Sequence, residues 1–87
     1  MFVILTYDVG AKRVSRVMKT CRRYLVHVQN SVFEGTITMA RLNALKVELE
    51  KKIEKGVDSI CIYEFDSIRY SRKEQIGVAD VFTNIID

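Results

Sequence analysis

Eighty-seven residues, 48% of them hydrophobic and 29% charged, suit one globular domain with a modest core, near the size at which a second chain often completes it, so a homodimer is expected. No apolar run is long enough to cross a membrane and no secretory pattern is present, which points to a cytoplasmic protein; with no proline and four glycines there is no linker to separate a second domain. The net charge of +3 is unevenly placed: six basic and no acidic residues fall between positions 11 and 25, leaving eight basic against eleven acidic residues, a net −3, for everything else.

Phe2-Val3-Ile4-Leu5-Thr6-Tyr7 is an almost unbroken apolar run of strand length, as in a central strand. Asp8 ends it, and Val9-Gly10 supply a tight turn into a helix. Standing where a strand ends and a helix begins, Asp8 can cap the helix or ligate a metal. The helix spans Ala11 to Leu25. At 100° per residue, Lys12, Arg16, Lys19 and Arg23 fall within about 60° of one another, opposite Val14, Val17, Met18, Cys21, Tyr24 and Leu25. Lys12 and Arg13 also sit in the first turn, against the positive end of the macrodipole. A merely solvated helix would mix signs, so Lys12, Arg13, Arg16, Lys19 and Arg23 are the candidate polyanion-binding residues.

Val26-His27-Val28-Gln29 alternates, and Val32-Phe33 leading to Thr36-Ile37-Thr38 continues in strand-like residues, giving a hairpin that turns at either Asn30-Ser31 or Glu34-Gly35. His27, with no other histidine in the chain, reads as a strand-surface residue. Thr38 can cap a second helix carrying Leu42, Leu45, Leu49 and Ile53 on one face, with Gly56 as its stop and the pairs Glu48–Lys52 and Lys46–Glu50 on its solvated face. Asp58-Ser59 opens a fourth strand through Ile60-Cys61-Ile62-Tyr63 to Glu64-Phe65. Cys21 and Cys61 lack metal or redox spacing and read as reduced, buried hydrophobes. The order β-α-β-β-α-β predicts an α+β, ferredoxin-like fold over residues 1–65, an antiparallel sheet with both helices on one face. Residues 66–87 form an extension, with a short strand at Ile68-Arg69-Tyr70 and an apolar tail of Val78, Val81, Phe82, Ile85 and Ile86 that is expected to pack on a partner chain.

Four stretches together resemble the CRISPR-associated protein 2 family: a first strand ending in Tyr7-Asp8, the Arg/Lys-rich helix, His27-Val28-Gln29-Asn30-Ser31-Val32-Phe33-Glu34-Gly35, and Asp58-Ser59-Ile60-Cys61-Ile62-Tyr63. The resemblance covers about residues 1–65 and implies a ferredoxin-like homodimer whose first-strand aspartates face each other across a metal. It implies metal-dependent cleavage of RNA or DNA, and capture of new spacers together with the CRISPR integrase, CRISPR-associated protein 1. By position, Asp8 carries over as catalytic residue and metal ligand, and the basic helix as the contact to double-stranded DNA or RNA. The family commonly has arginine where this chain has His27, so no phosphate contact is carried over there. Mg²⁺ or Mn²⁺ suits a site built from one carboxylate per chain, with positions left for water and phosphate. Three functions stay open on the sequence: a metal-dependent nuclease, an architectural clamp on a duplex, or a ferredoxin-like regulatory or oligomerisation module. Only the first two need six cations on one helix.

Overall fold

The computed structural model describes residues 1–66; the expected fifth strand and the apolar tail lie outside the described residues. Its elements are β1 (Phe2–Asp8), α1 (Ala11–Arg22), β2 (Val26–Gln29), β3 (Val32–Thr36), α2 (Met39–Glu50) and β4 (Ser59–Phe65). The strands form one antiparallel sheet in the order β2-β3-β1-β4, the ferredoxin-like arrangement expected from the sequence. β1 is central because it is apolar on both faces. Val3, Leu5 and Tyr7 meet Phe33 and the helix residues Val17, Cys21, Leu42, Leu45 and Leu49, while Ile4 on the other face joins Val32 with Phe2, Val28 and Phe65. Both helices therefore cover one side of the sheet, and the other side stays free of helix.

The hairpin turns at Asn30-Ser31, where Asn30 takes φ +37°, a left-handed backbone that asparagine tolerates better than most residues. Thr38 caps α2 as expected, its hydroxyl accepting from the Arg41 amide at 3.2 Å. Both helices are shorter than their periodicity. Past Arg22 the chain tightens into a turn in which the Tyr24 and Leu25 amides both bond the Cys21 carbonyl, delivering Leu25 to the core. α2 stops at Glu50 because the Lys51 and Lys52 amides bond back only three residues, to Glu48 and Leu49. Ile53 still packs on the core, and Gly56, at φ +88°, lies in a second turn rather than at the helix stop.

Two expectations are corrected here. Glu48 and Lys46 do more than line a solvated i,i+4 face: Glu48, which Lys52 still influences, bonds Arg23 and the Tyr24 hydroxyl at the end of α1, and Lys46 reaches Glu64 of β4 at 3.6 Å. The charges of α2 thus tie elements together. Cys61 is exposed, because strand alternation turns Ile60 and Ile62 toward the helices and Cys61 outward, across from Thr6. Cys21 is buried as expected, and burial pushes its thiol up to about 12, so it stays protonated and unreactive.

Leu45 has no exposed surface and sits at the centre of the helix-covered core. Leu45→Ala should cost about 2–5 kcal/mol, read as a lower urea midpoint with an unchanged slope.

Candidate active site and nucleic-acid face

Asp8 is the last residue of β1, exposed, on the helix-free side of the sheet and opposite Ser59 of β4. Tyr7, pointing the other way, is buried against the Phe33 ring with centroids 6.3 Å apart, and its amide bonds the Ser31 carbonyl at 3.1 Å. A hollow of about 370 Å³ opens beside Asp8, bounded by Val14 and Met18 of α1 and by the Asn30-Ser31 turn.

Asp8 does not cap α1. Gly10 is the N-cap residue and no side chain caps that end from within the turn. The anion at the start of the helix comes instead from Asp58, just before β4. Its Oδ1 accepts from the Gly10 amide at 2.9 Å and from Arg13 Nη2 at 2.9 Å, while its Oδ2 accepts from Arg13 Nε at 2.5 Å and from the Glu54 amide at 2.8 Å. Glu54 adds a second carboxylate 3.2 Å from Arg13 Nη1. The Asp58 side chain is fully shielded and that of Arg13 is only 19% exposed. The Arg13 guanidinium above all, helped by the Glu54 and Gly10 amides, holds the Asp58 carboxyl far below the usual aspartate range in spite of its desolvation.

Asp58 was missed because its partners are 45 and 48 residues away, a separation no local pattern reveals. Arg13, expected on the polyanion-binding face, is instead turned to Asp58. On the helical wheel it lies about 60° past Arg16, toward Val17 and Thr20, and that offset was the available signal. The first-turn cation that looked out of place is thus half explained by structure.

Lys12, Arg16 and Lys19 are exposed along α1, as is Arg22. Arg23 is exposed too but paired with Glu48. Arg41 of α2, which was not singled out, adds a cation at the same end, donating to the Arg23 carbonyl at 3.1 Å with its guanidinium 4.6 Å from the Tyr24 ring centroid. His27 lies on the edge strand away from Asp8, stacked on Phe33 at 4.6 Å, with Nε2 2.6 Å from the Asn30 carbonyl. Among the described residues no three metal-ligating side chains gather, and no helix is long and apolar enough to cross a membrane. Asp8 is thus an exposed carboxylate, the donor type that Mg²⁺ and Mn²⁺ take.

The family profile described as CRISPR associated protein Cas2 matches residues 1–73. The chain belongs to the Cas2 family. It is 42% identical over 85 residues to the CRISPR-associated endoribonuclease Cas2 3 of Thermodesulfovibrio yellowstonii, covering 98% of this chain and 97% of that protein. Against the CRISPR-associated endoribonuclease Cas2 of Thermotoga maritima it is 41% identical over 78 residues, 90% of each chain. The crystal structure of Streptococcus pyogenes Cas2 superposes with a TM-score of 0.77 at 37% identity, covering 88% of this chain and all of that one. A second Cas2 crystal structure gives 0.80 at 36% identity, covering 92% and 91%.

In this Cas2-family chain the Asp58 cluster sets a pH response. Because the folded carboxyl is held below the usual aspartate value of 3.8, its contribution is fully present above about pH 4 and is lost as pH falls through the lower folded value. Wild-type protein should lose urea stability progressively below about pH 4. Asp58→Asn should be less stable at pH 7 and converge on wild type in acid; parallel urea midpoints across that range would refute the assignment.

Proposed function

We propose that this protein is a homodimeric, Mg²⁺- or Mn²⁺-dependent nuclease of CRISPR adaptation, which holds nucleic acid on its basic helices and works beside the CRISPR integrase. The observation that carries the reading is Asp8: exposed at the end of β1 and not engaged in capping α1. A two-fold axis beside the helix-free face brings a second Asp8 to the first and completes a carboxylate pair. A divalent metal held there supplies positive charge to a phosphoryl oxygen and lowers the pKa of water. The chain's own part is positional. β1 fixes the carboxylate, the hollow beside it admits a backbone unit, and Lys12, Arg16, Lys19 and Arg23, on the outer face of α1, hold phosphates elsewhere along the nucleic acid without reading bases. The endoribonuclease names of the relatives make RNA the first substrate to test.

A second reading, an architectural clamp that holds a duplex for the integrase without cutting it, is favoured by His27. The only histidine stands on β2, stacked on Phe33 with Nε2 against the Asn30 carbonyl, and not on the strand that carries Asp8. Incubating the purified protein with labelled single-stranded RNA and duplex DNA, with and without Mn²⁺, separates the two. Metal-dependent products support the nuclease; tight, salt-sensitive binding with no products supports the clamp.

A further inference from the structure

The turn that carries Asp8 is fixed from outside by groups with no place in the cleavage chemistry. Asp58 takes the amide of Gly10, two residues after Asp8, and the residue after Asp58 is Ser59, the cross-strand partner of Asp8. One shielded carboxylate thereby joins the exit of β1, the first turn of α1 through Arg13, the Glu54 turn and the entry to β4. Gly10 belongs to the same arrangement. Its φ of −59° suits any residue, yet a Cβ there would stand 2.5 Å from Arg13 Nη2 and 3.2 Å from its Cζ, so a side chain at this position would have to displace the guanidinium.

We infer that Asp58, Arg13 and Gly10 form a positioning clamp that sets where the Asp8 carboxylate stands for the divalent metal, a role that rests on the metal reading of Asp8. In a site that takes one carboxylate from each of two chains, a displacement of about 0.5 Å at each Asp8 is enough to weaken metal binding. Asp58 and Arg13 are positioning residues and touch neither metal nor substrate.

Two variants of the full-length protein test this. Gly10→Ala leaves both charges in place and only pushes the guanidinium off the carboxylate; Asp58→Asn removes the charge but keeps acceptors for part of the network. The readouts are the Mn²⁺ concentration giving half the thermal shift, the melting temperature without metal, and affinity for a duplex. Gly10→Ala should raise the Mn²⁺ midpoint about tenfold, with duplex affinity within about twofold of wild type. Asp58→Asn should raise it further. A melting temperature that falls in Gly10→Ala while the Mn²⁺ midpoint stays at the wild-type value would show the cluster to be structural only and overturn the inference. Asp8→Asn, run beside them, separates the two levels. If it still responds to Mn²⁺, the metal reading of Asp8 fails and the clamp with it. If it loses the response while Gly10→Ala titrates like wild type, only the clamp is wrong. Should Asp58→Asn not fold, Gly10→Ala decides alone.

Discussion

Asp8→Asn is expected to lower metal-dependent cleavage by about 10³-fold while leaving duplex affinity within about twofold. The two effects separate because Asp8 and the cations lie on different surfaces, the carboxylate on the helix-free side at the end of β1 and the cations on the outer face of α1. The same substitution should raise the melting temperature of the metal-free dimer, since two carboxylates facing each other across a dyad repel and two amides do not. It should also abolish the stabilisation by Mn²⁺, which arises only if the ion binds the folded assembly. Undiminished cleavage in Asp8→Asn, with the dimer intact, would remove Asp8 from the chemistry.

Replacing Arg16 and Lys19 together by alanine should weaken duplex binding by about 10²-fold at low salt, equally for unrelated sequences. The slope of log K against log salt should become shallower by about 2 to 4, because each lost phosphate contact releases about one counterion fewer and a dimer loses up to four contacts. Arg13→Gln provides the contrast. Its guanidinium is spent on Asp58 and Glu54, so the slope should stay at the wild-type value although the protein becomes less stable. Filter binding of two duplexes of different sequence over a salt series reads both. Equal slopes in wild type and in the Arg16/Lys19 variant would mean that the stripe is merely solvated.

The path of the chain was legible because β1 is a nearly unbroken apolar run, α1 is strongly amphipathic and the leucines of α2 recur at helical spacing, and these positions do meet: Val3, Leu5 and Tyr7 with Val17 and Cys21, and with Leu42, Leu45 and Leu49. Asp8 was visible as a polar full stop after an apolar strand. What sequence could not show were contacts made across distant segments. Asp58 read as the opening of a strand and proved to be the anion at the head of α1; Glu48 read as half of a surface pair and proved to bind the end of α1; Arg41 read as nothing and stacks on Tyr24. Helix ends failed for a local reason, since i→i−3 bonds at 23–24 and 51–52, each followed by one i→i−4 bond from Leu25 and Ile53, keep the apolar period going after the α-helix has stopped. The inside-outside assignment of Cys61 failed because an apolar edge strand has two candidate faces until its neighbours are known.

The claim on which the rest depends is that two chains share one site. Mixing wild-type and Asp8→Asn protein in varying ratio at constant total concentration, allowing subunits to exchange, and measuring Mn²⁺-dependent RNA cleavage tests it directly. If both aspartates are needed, activity follows the square of the wild-type fraction, so an equal mixture retains about a quarter of full activity. A linear dependence, with about half retained, would show that each chain cleaves with its own Asp8 and would contradict the shared site.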